Sequence, residues 1–193
     1  MATDSNDQVL QRKQKLDVLR SSTAAYPNDF RRDTDTRRIR DQFDELDEAA
    51  LTAESVRVTL AGRVMTKRVM GKASFADVQD EHGRIQLYAQ RDRLPEGLYT
   101  QLFRKLDIGD LIGVTGVLFR TRTGELTVQV EDVRLLVKAL HPLPEKFHGL
   151  ADVETRYRRR YVDLIVNQTS RETFRRRAQI TSALRCFLDE RGY

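Results

Sequence analysis

Apolar residues recur at helical spacing twice before residue 55 and then switch to strict alternation. Val9, Leu16 and Leu19 fall on one side of a helix from Asn6 to Arg20. Ile39, Phe43, Leu46 and Ala50 repeat that spacing behind the cap candidates Asp35 and Thr36, so two helices are predicted to lead the chain. Between them Tyr26-Pro27-Asn28-Asp29-Phe30 reads as a turn, because proline fixes its own φ and biases Tyr26 out of the helix. Val56, Val58 and Leu60 then alternate with Arg57 and Thr59, which predicts a strand, and Gly62 offers a site for a bulge or bend. Beyond Gly71, the segments Ala73 to Gln79 and Arg84 to Gln90 flank Asp80-Glu81-His82-Gly83 as a hairpin. Leu98, Leu102 and Leu106 predict a short helix from Pro95, ended by Gly109. Two more strands, about Leu111 to Phe119 and Leu126 to Leu136, are joined by Arg122-Thr123-Gly124.

Three strands, a helix and two strands is the order of the five-stranded OB barrel, an α+β, mainly β, architecture that commonly presents its second and third strands to nucleic acid. His141-Pro142-Leu143-Pro144 cannot continue a strand and marks a linker, after which Val153 to Ile165 and Ser170 to Arg191 read as helices. Thr169 with Glu172 makes a capping box for the last of them. The expected organisation is a helical extension over 1–54, a barrel over 55–140, a linker over 141–152 and a helical remnant over 153–193.

Composition narrows the class. With 39% hydrophobic and 33% charged residues, the chain has material for one sizeable core or two small ones. No apolar run approaches the roughly 18 residues that span a bilayer, and the first residues lack the basic and apolar segments of a signal peptide, so a soluble, cytoplasmic protein with no membrane partner is expected. Cys186, the single cysteine, lies in an apolar helical pattern and reads as a packed, reduced thiol. The net charge is +5, and residues 153–191 carry all of that surplus, leaving the first 152 residues neutral. Any RNA site on the barrel must therefore be local. A local candidate exists: Arg57, Arg63, Lys67, Arg68 and Lys72 occur between Val56 and Phe75 without one acidic residue, as either a basic stripe or an ordinary solvated strand face.

The hairpin supplies a second signal. A turn of even length makes paired positions sum to an odd number, so Phe75 and Gln86 share a face with Asp77 and Tyr88, while Ala76, Val78, Ile85 and Leu87 share the other. If the second set faces the core, Phe75 faces outward, where it is either covered by a neighbouring helix or a stacking platform for an unstacked base. Chemistry inside the chain has no comparable support. His82, His141 and His148 lie in a turn or linker without spaced ligand partners, no glycine-rich phosphate loop occurs, and Asp77 and Asp80 read as hairpin and turn residues.

Several runs closely resemble the bacterial class II lysyl-tRNA synthetases. They are Arg68-Val69-Met70-Gly71-Lys72-Ala73-Ser74-Phe75, Gly83-Arg84-Ile85-Gln86-Leu87-Tyr88, Thr123-Gly124-Glu125-Leu126, Leu140-His141-Pro142-Leu143-Pro144-Glu145-Lys146-Phe147-His148-Gly149-Leu150, and Arg156-Tyr157-Arg158-Arg159-Arg160-Tyr161-Val162-Asp163-Leu164. The resemblance covers essentially the whole chain. It implies an anticodon-binding region for a tRNA with a UUU-type anticodon: Phe75 stacking on the middle base, Gln86 reading its edge, and Arg68 and Glu125 contacting the flanking uridines, with Lys72 nearby. It also implies that the last helix is that of class II motif 1, which packs at a homodimer interface. Motifs 2 and 3, which hold ATP in this family, do not occur among the 193 residues. The expectation is binding without catalysis, no cofactor in this chain, and ATP and Mg required only by the full-length enzyme. A free-standing tRNA-binding or single-stranded nucleic-acid-binding OB protein and a helical association subunit are the alternative readings.

Overall fold

A computed structural model describes residues 2–22, 25–144 and 152–193. They form two compact units, Met1–Pro142 and Leu143–Tyr193.

In the first unit, α1 (Ala2–Ser22), α2 (Thr36–Phe43) and α3 (Glu48–Glu54) precede β1 (Arg57–Met70), β2 (Ala73–Gln79), β3 (Arg84–Gln90), the single-turn α4 (Leu98–Gln101), β4 (Leu111–Arg120) and β5 (Leu126–Val137). The five strands close into a barrel in the order β1-β2-β3-β5-β4. All pairs are antiparallel except β3 with β5. This is the OB fold that the order of elements predicts.

Alternation works as expected in the hairpin. Ser74, Ala76 and Val78 on β2 and Ile85, Leu87 and Ala89 on β3 are buried, and their neighbours are half-buried or exposed. With Leu60, Val64, Ile112, Leu118, Val128 and Val130 they fill the barrel, and Ile39 from α2 and Leu51 from α3 belong to the same core. Burying a Leu or Ile side chain stabilises the fold by roughly 1.5–3 kcal/mol, so these two helical residues bind the N-terminal segment firmly to the barrel.

Six local expectations need correction. Two leading helices are three, because Asp47 caps a new helix by accepting from the Ala50 amide at 2.8 Å, which parts Leu46 and Ala50 from the helix of Ile39. The bulge in β1 falls at Met65 rather than Gly62: Val64 pairs with Val78 and Thr66 with Asp77, leaving Met65 as the extra residue. At Gly62 the need is instead for space, since a Cβ there would lie 3.1 Å from the Gln79 carbonyl oxygen. The helix expected from Pro95 is one α turn followed by a 3-10 turn, Phe103–Lys105, and its fully buried side chains are Tyr99, Phe103 and Leu106 rather than a Leu98/Leu102/Leu106 stripe.

The other three corrections lie in the second unit, where the 153–165 helix is two, α5 (Val153–Arg158) and α6 (Arg160–Val166), broken at Arg159. Helix α7 (Gln168–Asp189) follows, capped by Asn167 rather than by a Thr169–Glu172 box. Asp163 is fully buried and binds Arg156 at 3.0 Å and Arg160 at 2.6 Å. Phe174, Ile180, Leu184 and Phe187 are exposed along α7, and Cys186 is exposed as well, not packed. Among the described residues no helix is long and apolar enough to cross a membrane. Residues 145–151 of the expected linker, His148 included, lie outside the described residues.

Candidate nucleic-acid interface

The outward face of the barrel is organised in rows that cross its strands, because residues paired across a ladder share a face. One row runs Arg68 on β1, Phe75 on β2, Tyr88 on β3 and Gln129 on β5. The next runs Thr66, Asp77, Gln86, Thr127 and then Phe119 on β4. The bulge at Met65 decides which cation joins them. Before it, odd-numbered residues of β1 face outward; after it, even-numbered ones do, so Arg68 shares the face of Phe75 and Lys67 does not.

The five cations of the candidate stripe are therefore dispersed. Arg57 pairs with Glu131 at 3.1 Å. Arg63 donates to the Gly109 carbonyl at 2.8 Å. Lys67 turns to the end of the barrel, where it donates to the carbonyls of Arg104 and Leu106 and caps the 3-10 turn. Burial there holds its ammonium below the ordinary lysine value, with Asp107 opposing the shift. Arg68 and Lys72 are exposed and form no ion pair among the described residues. Lys72 sits in the tight link between β1 and β2, where Gly71 takes a positive φ of 63°.

Phe75 is half-buried, and what lies against it is Tyr88, with ring centroids 4.7 Å apart and planes inclined by 28°. Tyr88 in turn meets Phe119 at 5.9 Å. The three rings form one aromatic strip over β2, β3 and β4. Parity of the hairpin already placed Tyr88 on this face. Phe119 was missed as a site residue, although its alternation with the buried Leu118 was available as a signal.

Gln86 lies beside this strip. Its Oε1 accepts from the Thr127 hydroxyl at 3.1 Å, and the same hydroxyl lies 3.1 Å from the Glu125 carbonyl oxygen. Glu125 is exposed in the β4–β5 turn, where its carboxylate faces the Arg40 guanidinium at 3.5 Å. Arg40 also donates to the Arg84 carbonyl at 3.0 Å. Arg120 fastens the same turn to the link between α2 and α3 by donating to the carbonyls of Gly124 at 2.6 Å and Leu46 at 2.6 Å, and also to that of Asp44. Thus Gln86 and Glu125 are joined through Thr127, and Arg68 and Phe75 through strand pairing. Lys72 stands at the strand end on the edge of this surface.

Asp77 and Asp80 serve the scaffold. Asp77 accepts from Thr66. Asp80 accepts from the Thr36 amide at 2.7 Å, the Thr36 hydroxyl at 2.6 Å and the amides of His82 and Gly83 at 2.8 and 3.0 Å. Burial alone would raise its carboxyl, but these four donors outweigh it and hold the group below the usual carboxylate range. Among the described residues there is no group of three or more His, Cys, Asp or Glu that could hold a metal ion.

Residues 58–136 match the family described as "OB-fold nucleic acid binding domain". The chain is similar over 190 residues, 98% of its length, to lysine–tRNA ligases of Coxiella burnetii, at 52% identity, and of Idiomarina loihiensis, at 54%. To that of Serratia proteamaculans it is 54% identical over 192 residues, its whole length. In each case the chain spans 38% of the length of the relative.

Proposed function

The chain belongs, across the stretch it spans, with the lysine–tRNA ligases and carries an OB-fold nucleic acid binding domain, and from that premise we propose that its barrel face holds the anticodon loop of a transfer RNA. The observation that carries this reading is the aromatic strip Phe75–Tyr88–Phe119, set between the exposed Arg68 guanidinium and an amide. An unstacked base gains from lying on an aromatic face, Gln86 offers hydrogen bonds to its edge, and Arg68 and Lys72 answer the phosphates on either side. With one face of Phe75 against Tyr88, a base on the other face completes a three-layer stack.

On this reading Phe75 takes the middle base of a UUU-type anticodon, Gln86 reads it, and Arg68 and Glu125 attend to the flanking uridines. The chain contributes recognition to the ATP-dependent attachment of lysine to its tRNA; ATP and Mg are bound by other parts of such an enzyme. The exposed apolar face of α7, with Phe174, Leu184 and Phe187, supports a contact with a second copy in the assembled enzyme. The direct test is titration of the chain with a labelled UUU anticodon stem-loop and with a blunt duplex of the same stem. The stem-loop should bind more tightly, because only its loop bases are free to stack. Equal affinity for the two would overturn the reading.

A further inference from the structure

Gln86 poses a question of selectivity. A carboxamide carries a donor and an acceptor side by side. Uracil offers an acceptor, O4, beside a donor, N3–H; cytosine offers the reverse, a donor, N4–H2, beside an acceptor, N3. An amide that turns over about its last torsion matches either base equally well, so Gln86 alone selects nothing. Discrimination requires a group that holds one orientation.

Thr127 is placed to do so. It is the partner of Gln86 in the parallel β3–β5 ladder, it is fully buried, and its Oγ1 donates to Gln86 Oε1 at 3.1 Å. The Gln86 Nε2 group has no partner among the described residues, so both its N–H bonds are available to a ligand. The hydroxyl has one proton and two acceptors within reach, Gln86 Oε1 and the Glu125 carbonyl oxygen. Donation to Glu125 would leave Thr127 as an acceptor, and the amide would have to turn Nε2 inward. The two arrangements are exclusive, and in the structure it is Oε1 of Gln86, not Nε2, that faces the hydroxyl, which is the arrangement in which Thr127 donates to the amide. Building on the anticodon reading above, we propose that Thr127 is the positioning residue that locks the Gln86 amide with Nε2 toward the base, and thereby makes the site choose uridine over cytidine. The locked amide donates from Nε2 to O4 while the second lone pair of Oε1 remains for N3–H. Cytidine would set Nε2–H against N4–H2 and Oε1 against N3, two repulsive contacts in place of two bonds.

The test measures affinities for two stem-loops that differ only in a central uridine or cytidine. The parent should prefer uridine by roughly fivefold to hundredfold, the range for one bidentate contact. Thr127→Val keeps the shape of the side chain and removes the hydroxyl; its uridine-to-cytidine ratio should fall to about twofold or less while its affinity for uridine drops little, since the stacking rings remain. Thr127→Ser restores the hydroxyl and should restore the ratio, which a purely structural role for Thr127 would not require. Thr127→Ala removes the hydroxyl without adding bulk and is read in the same way if the valine variant fails to fold. A parent that binds no stem-loop sinks the anticodon reading itself. A parent that binds without pyrimidine preference, or a preference retained in both the valine and alanine variants, overturns the role of Thr127 alone.

Discussion

Arg68 and Lys67 are neighbours in sequence, carry the same charge, and do different work. Lys67 is spent on backbone carbonyls at the end of the barrel, whereas Arg68 stands exposed in the row of Phe75, with no ion pair among the described residues. If Arg68 meets one phosphate of the loop, Arg68→Ala should lower the slope of log affinity against log salt by about 0.7, and a slope unchanged within error would remove Arg68 from the phosphate path. Alternation alone would have put Lys67 on the face of Arg63 and left Arg68 off it. The phase was not legible because an unpaired bulge residue, Met65, is defined by the register against β2 and not by any local preference. Phe75, by contrast, was legible from hairpin parity, since the turn is short and its pairing local. Thr127 was not: its partner Gln86 lies 41 residues away and meets it only where β3 and β5 close the barrel.

The β2–β3 turn and α2 are coupled through a single carboxylate. Asp80 holds the N-terminus of α2 through Thr36 and its own turn through His82 and Gly83, so it fixes the register of the hairpin that carries Phe75 and Gln86. Because the folded pKa lies below the ordinary value of 3.8, the stability Asp80 supplies is present in full above that value and is lost as pH falls through the lowered one. Asp80→Ala should cost about 1–3 kcal/mol in urea unfolding at neutral pH and should flatten the acid limb of the stability curve. A variant as stable as the parent at pH 7 would mean that the turn holds without it. Strands and their order were readable because the apolar alternations are long and turn residues, Gly71, Asp80 to Gly83 and Gly124, separate the antiparallel neighbours. The helix boundaries at Asp47, Arg159 and Asn167 were less so, since several polar residues near each break could have served as the cap.

At the scale of the whole molecule, charge and core are distributed unequally. The barrel and its helices hold the continuous apolar core while being neutral overall, and the second unit carries the surplus of arginine and an exposed apolar face on α7. A general attraction of basic protein for RNA would draw on that arginine surplus and depend steeply on salt. On the proposed reading, anticodon binding at the barrel draws instead on three rings and an amide held by Thr127. Phe75→Ala in the full chain separates the two most directly, because removal of one stacking ring costs on the order of 1–3 kcal/mol, or roughly a fivefold to hundredfold loss of affinity. Stacking releases no counterions, so the variant should bind a UUU stem-loop more weakly at two salt concentrations with the slope between them unchanged. A Phe75→Ala chain that folds and binds as tightly as the parent would contradict the account, and would leave Phe75 as a packing residue for Tyr88.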